Sequence, residues 1–358
     1  MLARSVSTLS IVCAAFALPA TALAKEPIEI AEGESWLHSH SGISVPATLA
    51  GLPRTQATAF SPDALNSGMQ FDKDGEILSV YVYRNTSGGV PVWFEQARYG
   101  ITIRDIYKGA KPVGTTYSFA LPGREQATAL KAVYALPEGG PYQSTGLALF
   151  SLGEWYVKLR ATSETRDVAQ LETWMSQAIS ELVLPDSLSP GQTVEPVTDC
   201  NEPLEFKGKS KDAQKDGAAS LLGGLLGSIV ADKLEQVDPD DSVVTPVKWC
   251  RDSTLGQNQT VYRANAATDA YLIAVGDSGI GVTVQPDQAF ALLGGSERKA
   301  DERYSVTMHF DDENVNFVAQ DRLPSPKRVI ELINGKRTVA TVSTWGDNST
   351  IKVNSESF

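Results

Sequence analysis

With 358 residues, 42% of them apolar and 21% charged, the chain is long enough for two ordinary globular domains. A mean hydropathy of −0.15 and 8% aromatic residues exclude a disordered tail protein and a polytopic membrane protein. The balance of 43 acids against 31 lysines and arginines argues against nucleic-acid binding, which needs clustered cations, and the three cysteines and three histidines leave little material for disulfide frameworks or metal chemistry.

Residues 1–24 (MLARSVSTLSIVCAAFALPATALA) carry one cation, Arg4, an apolar run from Ser10 to Leu18, a helix-breaking Pro19, and small residues at Ala22 and Ala24 where signal peptidase reads. The run is too short for a ~30 Å hydrocarbon core. Ser10-Ile11-Val12 lacks the small residue that lipidation of Cys13 requires just before the cysteine. We expect a signal peptide cleaved before Lys25 and a periplasmic or secreted product. The mature chain would keep only Cys200 and Cys250, an even pair that reads as a disulfide in an oxidising compartment. Closing that loop contributes roughly 4 kcal/mol on the chain-entropy estimate.

Residues 25–60, rich in Pro, Gly, Ser and Thr, read as an extended lead-in. Glu76–Arg84 alternates, with Ile77, Ser79, Tyr81 and Tyr83 on one face and Leu78, Val80 and Val82 on the other, the period of a strand. Pro91–Arg98 reads as a short helix, and Gly100–Tyr107 and Gly114–Leu121 as strands. Gly146–Thr162 is a hairpin turning at Leu152-Gly153-Glu154. Ser163–Leu184 is the best helix: Val168, Leu171, Met175, Ala178 and Leu182 recur at helical spacing, and Pro185 stops it. Asp186–Pro196 punctuates the chain as a linker. Ala218–Leu234 is apolar and glycine-rich. Strands follow at Gln259–Ala264, Tyr271–Val275, Gly281–Gln285, Tyr304–Phe310, Val315–Ala319, Thr338–Ser343 and Thr350–Val353. One short helix interrupts them, with Ser325 as N-cap, Pro326 at its first position and Gly335 closing it.

The predicted fold class is α+β: an N-terminal antiparallel sheet covered by a long C-terminal helix, then a β-rich second domain with one or two short helices. The boundaries are 61–185 for the first domain, 186–198 for the linker, and 199–358 for the second domain with its helical segment at 218–234. The element order over 65–185 resembles the Mog1/PsbP-like α+β fold, about a third of the chain. That resemblance implies an exported domain and no particular activity, because its members share none.

Gly276-Asp277-Ser278-Gly279 copies the tetrapeptide around the nucleophile of trypsin-like proteases, but no His motif accompanies it. It lies between two apolar runs, where it reads as a hairpin turn. His38-Ser39-His40 offers a metal half-site whose third ligand would be His309, Asp311, Asp312 or Glu313; the plainer reading is surface histidines. The acidic runs Asp72–Glu76, Asp238–Asp241 and Asp311–Glu313 do not fit a calcium loop and read as solvated turns.

Tyr156, Lys158 and Arg160 share one side of their strand, as Tyr81 and Tyr83 share one side of theirs, and together they form a candidate face for an anionic ligand or a peptide. In 218–234, Gly223 and Gly227 stack at helical spacing, a face for self-association or docking on another envelope protein. No residue is assigned a catalytic, cofactor or metal role. The reading is an exported envelope accessory or binding protein acting through protein–protein contacts. The alternatives are a hydrolase with a cryptic site or a binder of a small anionic ligand.

Overall fold

The computed structural model describes residues 25–213, 246–256, 258–287, 303–346 and 350–354. The expected signal segment, the glycine-rich 218–234 with its proposed self-association or docking face, and Asp238–Asp241 lie outside the described residues.

The longer strands of the N-terminal half are β1 (Leu52–Ala59), β2 (Asn66–Lys73), β3 (Glu76–Arg84), β4 (Ala129–Ala135), β5 (Ser144–Leu152) and β6 (Trp155–Ser163). They form an antiparallel sheet in the order β1-β2-β3-β6-β5-β4, extended at its edges by strands of two or three residues. The second half is a meander: β7 (Trp249–Gly256), β8 (Gln259–Ala264), β9 (Tyr271–Val275), β10 (Gly281–Pro286), β11 (Tyr304–His309), β12 (Glu313–Phe317) and β13 (Thr338–Ser343). Cys200 is bonded to Cys250 across a Cα–Cα distance of 4.9 Å, which ties the short Thr198–Asp199 strand parallel to β7.

The alternation read from the sequence explains how the first sheet is covered. Leu78, Val80 and Val82 of β3 and Trp155, Val157 and Leu159 of β6 point into one core. Tyr83, Leu147, Leu149 and Tyr156 point into another, which also takes Tyr262, Leu272 and Ala274 from the second sheet. Helix α1 (Val90–Thr102) lies between the two sheets. It buries Val92, Trp93, Phe94 and Ala97, as a helix covered on opposite sides must.

The α+β expectation is overturned. Among the described residues, strand accounts for 41% and helix for 15%, and no long helix covers the first sheet. The best predicted helix is α2, fourteen residues from Val168 to Glu181, started by a capping box between Asp167 and Gln170. It shares its sheet face with the N-terminal segment, whose Trp36, Ile43, Val45 and Leu49 are buried in the same core. Trp174 Nε1 donates to the Ala50 carbonyl at 2.9 Å, and the Ala50 N–H donates to Glu181 Oε2 at 2.6 Å. The lead-in is therefore folded structure.

A strand was also expected over Gly100–Tyr107. Those residues instead finish α1 and make the short turn Asp105–Tyr107, because Ile101 falls one helical turn after Ala97 on the buried side. Helix α3 (Pro326–Asn334) packs Val329 and Leu332 on the outer face of the meander, with Ser325 accepting the Arg328 N–H.

The disulfide closes a loop of 50 residues. We predict that Cys250→Ser lowers stability by about 2–5 kcal/mol, read as a fall in the urea midpoint. Equal midpoints for the parent with and without reductant would contradict this.

Candidate functional site

The five face residues come together as predicted from their alternation: Lys158 pairs in register with Tyr81, and Tyr156 with Tyr83. The Lys158 ammonium lies 5.0 Å and 5.3 Å from the two tyrosine ring centres. The face is not open to solvent. Tyr83, Tyr156 and Lys158 are buried, because the turn joining β9 and β10 sits over them. This turn is Gly276-Asp277-Ser278-Gly279. Lys158 Nζ donates to the Asp277 carbonyl at 2.7 Å and lies 3.1 Å from its Oδ2, and Arg160 binds the same carboxylate oxygen.

Gly279, at φ +91°, lies against the Tyr83 ring, and a Cβ there would come within 3.3 Å of the Arg84 carbonyl. Its own carbonyl accepts the Ser87 hydroxyl at 3.1 Å. Burial alone would raise the Asp277 carboxyl, but Lys158, Arg160 and Arg104 hold it well below the usual carboxylate range. Burial pushes the Lys158 ammonium down to about 8, against the pull of Asp277. The serine of the tetrapeptide thus belongs to a turn whose aspartate clasps the two sheets together.

The histidines are spent on structure. His38 is fully buried, with Nδ1 bonded to Ser41 Oγ at 2.7 Å, Nε2 3.2 Å from the Ala64 carbonyl, and its ring edge-on to Trp155. His40 bonds the Asp63 carbonyl at 2.9 Å. His309 sits between Thr283 Oγ1 and Asn314 Oδ1, each at 2.8 Å. Among the described residues, no group of three or more His, Cys, Asp or Glu side chains converges to hold a metal ion. Of the acidic runs, Asp72–Glu76 and Asp311–Glu313 are hairpin turns, but their carboxylates are not all solvated. Glu76 is buried under Ser163, Thr165 and Arg166, and Asp311 is buried behind Arg84.

One cleft among the described residues opens at the seam of the two sheets. It encloses about 510 Å³. One wall is Gly88-Gly89-Val90-Pro91, leading into α1; the β5–β6 turn supplies Ser151, Gly153 and Glu154. The expected linker supplies another wall with Ser189–Val194, and β7 contributes Trp249. That linker is pinned to the first sheet: Gly153 N–H donates to Ser189 O at 2.9 Å, and Val194 N–H to Ala127 O at 3.0 Å.

Glycine at position 89 lets Trp249 approach, since a Cβ there would lie 3.0 Å from the indole nitrogen. Tyr156 of the predicted face lines the floor; Tyr81, Tyr83, Lys158 and Arg160 do not reach the cleft. Among the described residues, the lining carries one acid, Glu154, and no lysine, arginine or histidine. Sequence reasoning missed Asn85, Gln192 and Trp249. The one available signal was an aromatic residue next to a paired cysteine, opposite a segment rich in Gly, Pro and Ser.

No family model, curated protein or solved structure matches the chain, so the Mog1/PsbP-like resemblance rests on element order alone.

The buried histidines set a pH dependence. Burial lowers His38 from 6.5 to about 4 and His309 likewise, so between those values the unfolded chain binds more protons and stability falls as pH falls. Burial raises Asp311 to about 6, which opposes them, because its folded form takes up a proton first. We predict a net loss of stability on acidification and a shallower slope in His38→Gln, by up to about 3 kcal/mol across the window. Urea midpoints at about pH 7 and about pH 4.5 read that slope. An unchanged slope would contradict the assignment.

Proposed function

We propose that the chain is an exported, non-catalytic binding protein that holds its partner in the cleft at the sheet seam. The observation that carries this reading is the cleft lining. The Asn85 side chain and the Trp249 indole N–H take no hydrogen-bond partner among the described residues, and Gln192 uses only Oε1, toward the Val247 N–H at 3.4 Å. Seams between packed units are where ligand sites concentrate. The disulfide and the lack of a helix long and apolar enough to cross a membrane, among the described residues, fit a periplasmic or secreted location. The signal-like segment 1–24 points the same way.

The hydrolase reading needs convergent acid, base and nucleophile, and among the described residues the cleft lining offers one carboxylate and no histidine. Binding of a small anion needs a free cation, yet Lys158 and Arg160 already hold Asp277.

A photo-crosslinking residue placed at Gln192 should form an adduct in the exported fraction, and the same residue at exposed Asp186 should not. Absence of an adduct at 192, or equal adducts at both positions, would contradict the cleft as the binding site. Retention of Met1 in the intact mass would contradict export.

A further inference from the structure

We infer that the cleft takes a neutral saccharide, an inference that rests on the binding reading above. A sugar ring presents an apolar C–H face and a rim of hydroxyls that both donate and accept. It is matched by an aromatic plate beside groups that also do both. Trp249 is the indole of the lining: it is half-buried, the nitrogen edge of its ring lies against Gly89, and its N–H takes no partner among the described residues. Asn85 and Gln192 contribute planar amides, each a donor and an acceptor in one group. Glu154 adds a carboxylate able to accept from two neighbouring hydroxyls; it is 58% exposed, with Arg84 Nε 3.9 Å away.

Competing ligand classes fit less well. An anion finds no lysine, arginine or histidine among the described residues of the lining. A cation finds one carboxylate, already facing Arg84. An extended peptide that binds by strand addition needs a free edge. Here the Ser189–Gly191 main chain is already bonded to the β5–β6 turn, with Gly153 N–H to Ser189 O at 2.9 Å and Gly191 N–H to Ser151 O at 3.4 Å. The volume of about 510 Å³ suits a short oligosaccharide.

The oxidised chain from Lys25 onward, applied to an array of neutral glycans, sulfated and carboxylated glycans, and uncharged peptides, tests this. Retention on neutral glycans is expected, weakened at least about tenfold by Asn85→Ala and by Trp249→Ala, the scale of one lost polar or stacking contact. Asn85→Ala keeps the test decisive if Trp249→Ala fails to fold. Retention only on anionic glycans or only on peptides would overturn the saccharide while leaving a binding protein. Retention on nothing, with an adduct still formed at 192, would also overturn the saccharide alone. Retention on nothing and no adduct would overturn both readings. Neutral-glycan retention unaffected by either substitution would place the sugar elsewhere and overturn the inference.

Discussion

Lys158 and Arg160 stand on a sheet face that a second sheet covers, and taking two cations out of water is tolerable only with an anion at hand. The chain supplies it as Asp277, on the turn between β9 and β10, with the carboxylate shared by both cations and the Asp277 carbonyl also accepting from Lys158. Tyr81 and Tyr83 place their rings against the same ammonium. This contact fixes where the second sheet sits. It is reinforced midway along α1, where Glu95 holds both Arg98 and Arg251, and the latter belongs to β7. Arg84 closes a third point by donating to the Asp311 carbonyl and Thr344.

The rest of the architecture follows from that docking. Helix α1 is enclosed between sheets and so can be apolar on most sides; Trp93, Phe94 and Ala97 pack one way or the other into a single core with Leu147, Leu149 and Leu272. The start of α1, the β5–β6 turn, the Ser189–Val194 segment and β7 together surround the cleft. None of the three clasp side chains lines it. The disulfide sits next to Trp249 and holds the start of β7 in place.

Local periods made much of this legible. The alternation of Glu76–Arg84 and Trp155–Ser163 placed each residue on the face it occupies, and the meander strands from Gln259 onward fall within one or two residues of their expected positions. The Ser325 cap and the Cys200–Cys250 pair were likewise local or forced by counting. Contacts between distant segments were not legible. Trp36, Ile43 and Leu49 show no period because their partners are α2 and the first sheet, so the lead-in looked loose. Ile101 and Ile103 alternate as a strand would, while Ala97 and Ile101 obey helical spacing; enclosure between sheets decided between them. The cation face and the Gly276–Gly279 turn were each noticed, but 119 residues separate Lys158 from Asp277 and nothing in either motif names the other. The cleft residues Asn85, Gln192 and Trp249 come from three segments and carry no motif at all.

The central claim is that Asp277 makes a buried lysine and a half-buried arginine compatible with the sheet seam. A double-mutant cycle on Asp277 and Lys158, followed by urea denaturation, addresses it directly. Asp277→Asn should cost about 3–5 kcal/mol, because it strands buried charge. Lys158→Met added to Asp277→Asn should recover part of that loss, so that the double variant is more stable than Asp277→Asn alone. Strictly additive losses, or an Asp277→Asn variant as stable as the parent, would contradict the account.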